Sequence, residues 1–162
     1  MEEKDKELFE KILNKAYHLL SFRPRAEAEI RRRLQKHTKK EVLIDKVVER
    51  LRELNLLNDH EFVRWWVEER QTFRPKGKQL IELELKRQGI KKEIIDEVLG
   101  QEGASGSLSQ VELARQAIKK KISLYKNLSR REFRQKVGEF LARRGFDWET
   151  IGSVIDSLKE EE

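Results

Sequence analysis

The chain has 162 residues, 41% of them charged and 7% aromatic, with a net charge of +6. Cysteine is absent, which excludes disulfides and thiolate metal sites and fits a reducing, cytoplasmic compartment. No apolar run approaches the roughly 20 residues a membrane helix needs, and the mixed-charge start MEEKDKE does not read as a signal peptide. Basic side chains outnumber acidic ones at both ends, 15 to 11 in residues 1–57 and 12 to 9 in 107–162, against 9 to 10 in 58–106. That balance suits an acidic or polyanionic partner, although a solvated helical surface carries the same excess.

Apolar residues recur at spacings of three and four, which predicts helices, and no alternation is long enough for a strand. The first helix covers residues 4–20, with Leu8, Phe9, Ile12, Leu13, Ala16, Tyr17 and Leu20 on its apolar face. Pro24 presets the start of the second, whose stripe is Ala26, Ile30 and Leu34 with Arg31, Arg32 and Arg33 fanned outside. Thr38 to Glu41 reads as a capping box for the third helix. Its stripe is Leu43, Ile44, Val47, Val48, Leu51 and Leu54, and Asn55 suits a left-handed stop. Asn58 to Glu61 is a second capping box, opening a fourth helix to residue 73 that buries Phe62, Val63, Trp66 and Val67. Trp65 sits about 100° off that face, either packed on the preceding helices or free to anchor a partner. The fifth helix, residues 76–88, carries Leu80, Ile81, Leu83 and Leu85, a face wide enough for burial on two sides, and Gly89 caps it. The sixth runs over 91–99. GQEGASGS, residues 100–107, reads as a loose linker. Ser109 and Ser129 open capping boxes for helices seven and eight, and Asp147 caps helix nine, whose stripe is Trp148, Ile151, Val154, Ile155 and Leu158.

The chain repeats itself. Phe22-Arg23-Pro24 returns as Phe73-Arg74-Pro75, and the same shift sets Ile30 on Ile81, Leu34 on Leu85, Ile44 on Ile95, Asp45 on Asp96 and Val47 on Val98. A weaker third copy sets Val137, Leu141, Gly145, Ile151 and Val154 against Ile81, Leu85, Gly89, Ile95 and Val98. Such a period means an array of like units, here three helices each. The expected class is all-α, with three-helix repeats over residues 1–57, 58–100 and 109–162 and a flexible linker over 101–108.

No catalytic constellation is visible. His18, His37 and His60 stand alone in sequence, and most carboxylates lie three or four positions from a lysine or arginine, as in ordinary helix pairing. Lys76-Gly77-Lys78 is too short to be a phosphate loop. Basic clusters are the better candidates: Arg31–Arg33, Lys119–Lys121, Arg130-Arg131 and Arg143-Arg144. Above them rank Arg70, Arg74, Lys76 and Lys78, which surround a Pro-Lys-Gly turn that a partner can approach closely.

Three segments, in order, resemble the RecX family, regulators of the bacterial recombinase RecA. Arg23 to Ile30, RPRAEAEI, is similar to the family's Arg-Pro-Arg-Ser-Glu-x-Glu-Leu signature. Glu53 to Phe62, ELNLLNDHEF, is similar to its junction between repeats, and Lys76-Gly77, Ile81, Glu84-Leu85 and Gly89-Ile90 match its next segment in spacing. Ala26 stands where the family has a capping serine, a change that weakens the helix start by ~1 kcal/mol. Asn55 stands for a glycine and Lys78 for a proline. The resemblance implies tandem three-helix repeats in an elongated, curved array that lies along the groove of a RecA–DNA filament and bridges neighbouring protomers. It further implies suppression of ATP hydrolysis, strand exchange and coprotease action, with no catalysis and no cofactor. The chain is taken as a monomer that touches DNA weakly and without sequence preference. Arg25, Arg32, Arg70, Arg74, Lys76, Lys86, Arg130 and Arg144 are the residues expected to meet acidic recombinase surface or phosphate. The competing reading is a free-standing helix-turn-helix-like DNA-binding protein, which the charge and the short turns also permit.

Overall fold

The computed structural model describes residues 2–100 and 109–160, and these form nine α-helices and no strand. The helices are α1 (Glu3–Phe22), α2 (Glu27–Leu34), α3 (Glu41–Glu53), α4 (Asp59–Phe73), α5 (Lys78–Arg87), α6 (Lys92–Leu99), α7 (Gln110–Tyr125), α8 (Arg130–Arg143) and α9 (Trp148–Glu160). The fold is all-α, in three sets of three. Residues 101–108, expected as a linker, lie outside the described residues. No helix among those described is long and apolar enough to cross a membrane.

Local chemistry sets the helix ends. Ser109 accepts from Glu112 N–H while Glu112 accepts from Ser109 N–H, a full capping box for α7. Ser129 caps α8 through Glu132 N–H, and Asp147 caps α9 through Thr150 N–H at 2.8 Å. Asn58 accepts from both His60 and Glu61 N–H at the start of α4. Asn55, Gly89 and Gly145 take positive φ of 57°, 81° and 90°. Beyond each, one amide reaches back five residues: Leu56 to Leu51, Ile90 to Leu85 and Phe146 to Leu141. These are Schellman stops, which satisfy the last carbonyls of a helix.

Two expected helix starts differ. Thr38 makes no capping box, because its Oγ1 accepts from Lys40 N–H at 3.1 Å in a local turn, and Glu41 turns instead to Gln35. Pro24 does not open α2 either. Arg25 is drawn back to the Leu19 carbonyl and forward to Glu29, residues 24–26 stay outside the helix, and α2 begins at Glu27 with Ala26 as its extended N-cap.

The helices gather into two compact units. One takes Met1–Trp65 and Leu85–Ile95, the other Trp66–Glu84 and Asp96–Glu162. The first holds a core of Ile12, Leu13, Ala16, Ile30, Leu34, Leu43, Ile44, Val47, Val48 and Leu51, the joined stripes of α1, α2 and α3, with Leu57 from the segment before α4. The second holds Leu113, Ala114, Ile118, Val137, Phe140, Leu141, Ile151, Val154 and Ile155 from α7, α8 and α9, with Phe146 from the α8–α9 turn. Three stripe assignments fail at their edges. Leu54 is 41% exposed because it is already the C-cap of α3, and Leu83 is 44% exposed, so α5 is not covered on two sides. Trp148 is 74% exposed: Phe146 fills the core place, and the indole lies near Gly138, its Cζ3 3.8 Å from where a Cβ would stand.

Candidate functional site

The α4–α5 turn, Arg74-Pro75-Lys76-Gly77, is seated on the α8–α9 turn. Proline at 75 lacks a donor and fits the end of α4. Gly77 N–H donates to the Arg144 carbonyl at 2.7 Å. A Cβ at Gly77 would stand 2.1 Å from the Gly145 carbonyl oxygen, so only glycine lets the two backbones touch. Gly145 is equally confined, since a Cβ there would stand 2.3 Å from Leu80 Cβ. The first amide of α5, Lys78 N–H, has no partner within its helix and donates to Gln110 Oε1 of α7 at 2.9 Å.

The first unit contains the same arrangement one repeat earlier. Glu27 N–H, the first amide of α2, donates to Asp59 Oδ1 of α4 at 2.9 Å, and both bonds span 32 residues. Asp59 therefore supplies, from the next repeat, the cap that Ala26 cannot. Gly89 lies against Ala28, where a Cβ would be 2.6 Å from the alanine methyl. In each clasp the second helix of one repeat begins on side-chain and backbone groups of the next. Burial pushes the Asp59 carboxyl above its ordinary value and the nearby Glu27 charge adds to this, while the bond from Glu27 N–H opposes it. Burial also pushes Glu27 up, but hydrogen bonds from Arg52 and Arg31 outweigh it and hold the carboxyl low.

The second clasp collects four of the expected contact residues. Arg70 Nε and Lys76 Nζ each reach Glu84, at 2.9 Å and 2.9 Å, and the Arg70 guanidinium lies 4.0 Å over the Trp66 ring. Glu84 titrates below its usual range, because those two hydrogen bonds overcome the upward push of burial. Arg74 is exposed on the same turn. Arg144, half-buried, stacks 5.0 Å over Phe140 while its carbonyl receives Gly77. Lys78 and Arg143 are exposed beside them in sequence. Exposed Arg74, Lys78 and Arg143 thus surround a turn whose glycine is buried against the α8–α9 turn, so the close approach expected of a partner at Gly77 is made instead within the chain.

The other four do not join them. Arg25 is 9% exposed, bonded to the Leu19 carbonyl and to Glu29, and serves the interior. Arg32 and Lys86 are exposed in the first unit, and Arg130 opens α8 about 20 Å along its axis from Arg144. Of the run at 31–33, Arg31 is taken by Glu27 and Asp45. Trp65 is half-buried, its ring centroid 5.8 Å from that of Phe62 on the same helix. No group of three or more His, Asp or Glu able to hold a metal is found among the described residues. Reading the sequence alone missed Glu84, Asp59 and Gln110. The signal was present for two of them, since the shift that pairs Phe22 with Phe73 also pairs Asp59 with Gln110.

Known three-helix domains of RecX match the chain in order: the first on residues 13–51, the second on 58–99 and the third on 109–155. The chain belongs to the RecX family. Regulatory protein RecX of Chlorobium phaeobacteroides is 32% identical over 148 residues, which make up 91% of this chain and 93% of that one. Regulatory protein RecX of Bacillus velezensis is 31% identical over 93% of this chain, which spans 56% of that longer relative. The crystal structure of RecX from Lactobacillus salivarius superposes with a TM-score of 0.85 at 25% identity, covering 95% of this chain and 98% of that one. The Asp59 and Gln110 clasps fall where the first and second, and the second and third, RecX domains meet.

Proposed function

We propose that the chain regulates a RecA-type recombinase by lying along the groove of the recombinase–DNA filament, where it restrains ATP hydrolysis, strand exchange and coprotease action without catalysis of its own. The reading rests on the RecX family match in all three domains. The contact region we assign is the second clasp, with Arg74 and Arg144 at its centre and Lys78 beside them. Arg32, Lys86 and Arg130 are outlying contacts along the repeats. Arg70 and Lys76, bound to Glu84, orient the turn, and Arg25 holds repeat 1 together. The backbone amides of Gly77 and Lys78 are already bonded, so a partner has only the side chains of this turn to order.

The test is charge reversal at exposed positions. Arg70→Glu is unsuitable, because it would set a second carboxylate against Glu84 and leave only Lys76 to balance both. Arg74→Glu with Lys78→Glu changes two exposed side chains instead. Inhibition of recombinase ATPase on single-stranded DNA should weaken by about tenfold or more, with far-UV circular dichroism unchanged. Undiminished inhibition would remove this turn from the interface. A gel shift on bare DNA without recombinase addresses the other reading: tight, sequence-dependent binding would favour a free-standing DNA-binding protein.

A further inference from the structure

A groove of about 340 Å³ runs along the first repeat, walled by α1 on one side and by the end of α2 with the turn after it on the other. Leu19 and Leu34 are its apolar lining. Lys15 and His18 line it from α1, and Arg33, Lys36 and His37 from the opposite wall. No carboxylate lines it. The other concavities of this repeat differ, since carboxylates of Glu27 and Asp59, of Glu61, and of Asp5 and Glu41 line them. Lys15, Arg33 and Lys36 make no ion pair among the described residues, yet they line one concavity. Two of them, Lys15 and Lys36, also bear on His37. Slight burial and the charges of Lys15, Lys11 and Lys36 hold its imidazole below the usual value. The two histidines that stand 19 positions apart in sequence share this groove.

We propose that this groove is an anion site for a phosphate group, and that its affinity rises as the pH falls. An anion seated there relieves the repulsion between Lys15, Arg33 and Lys36. Phosphate suits the two-walled layout better than a carboxylate, because its tetrahedral oxygens accept from cations on both sides while a carboxylate presents one edge. The same anion stabilises the imidazolium form of His37, so binding takes up a proton. The groups facing His37 are Lys11, Lys15 and His18 from α1 and Arg33 and Lys36 from α2 and its turn. All of them are basic, and none opposes this direction. The site is separate from the second clasp and does not depend on the filament reading.

The experiment follows the imidazole resonances of His37 and His18 by NMR in the full chain, titrated between about pH 8 and pH 5. The probes are inorganic phosphate, a short oligothymidylate and polyglutamate. One or both phosphate probes should raise the His37 midpoint by about half a pH unit; oligothymidylate, whose phosphodiester keeps its charge across this range, should also bind about threefold more tightly at the acid end than at the alkaline end, while inorganic phosphate, which itself takes up a proton in this range, is read by the midpoint alone. A response to both identifies the group as phosphate from any source, and a response to oligothymidylate alone identifies the phosphodiester of a strand. The variant Lys15→Gln, Arg33→Gln, Lys36→Gln alters exposed side chains only and should lose the response with its helicity intact. The proposal is overturned by a His37 midpoint that neither phosphate probe moves, by a response to polyglutamate alone, or by an undiminished response in the variant.

Discussion

Replacing Gly77 by alanine should open the second clasp, and the cost follows from the distances. The new Cβ would lie 2.1 Å from the Gly145 oxygen, 2.2 Å from the Gly145 carbonyl carbon and 2.5 Å from the Phe146 nitrogen. All three are backbone atoms, so no side-chain rotation relieves the overlap. Non-bonded carbons sit comfortably at about 3.5 Å, so the turn must retreat by more than about 1 Å. Such a retreat takes Gly77 N–H out of reach of the Arg144 carbonyl, now at 2.7 Å, and pulls Lys78 N–H from Gln110, now at 2.9 Å. Each bond contributes about 1 kcal/mol net, so Gly77→Ala should cost about 2–3 kcal/mol. Gly152 is the internal control. It lies within α9 with nothing within 4 Å of where a Cβ would stand. Gly152→Ala should therefore stabilise the chain by about 0.5–1 kcal/mol through helix propensity alone. Urea unfolding of the intact chain, followed by circular dichroism, measures both signs, and amide exchange at Lys78 locates the first. A Gly77→Ala protein within about 0.5 kcal/mol of the parent, with Lys78 equally protected, would refute the close contact of the two turns.

Two further outcomes are expected. Glu84 contributes stability that is full above its ordinary value of 4.5 and fades as the pH falls through its lower value in the folded chain. The stability gap between the parent and Glu84→Gln should therefore narrow as urea titrations move from about pH 6 to about pH 3, whereas a gap independent of pH would dissociate Glu84 from Arg70 and Lys76. Arg25→Ala should lower the unfolding free energy by about 1–2 kcal/mol, since it strips one of two cations from Glu29, which is 4% exposed and keeps Arg23 at 2.8 Å. An Arg25→Ala protein as stable as the parent, but weaker in recombinase inhibition, would return Arg25 to the binding surface.

Much of the fold is legible in the residues because helix formation is a short-range matter. The spacing of Ile12, Leu13 and Ala16, or of Leu43, Ile44, Val47, Val48 and Leu51, states which face of α1 or α3 is buried, and burial follows it. Asn55 and Gly89 mark helix stops because left-handed backbone is cheap for those residue types. The shift from Phe22 to Phe73 announces the repeats. Even at this level neighbours intervene: Thr38 prefers a turn to a cap, and Trp148 yields its core place to Phe146.

Which charge meets which was not legible, and the candidate site depends on it. Arg74 and Arg25 look alike in sequence, each next to a proline, yet one is exposed and the other is locked onto Glu29. Pairing at three or four positions along one helix was the expectation. Arg31 with Glu27, Arg50 with Glu53 and Arg64 with Glu61 meet it, whereas Arg52 with Glu27, Lys40 with Asp5 and Arg70 with Glu84 join residues 25, 35 and 14 apart. The same is true of the Asp59 and Gln110 caps and of the groove that unites His18 with His37. The physical reason is one of range. Backbone periodicity is decided within a turn or two of the chain, whereas the partner of a side-chain charge is decided by which helix faces the core brings together.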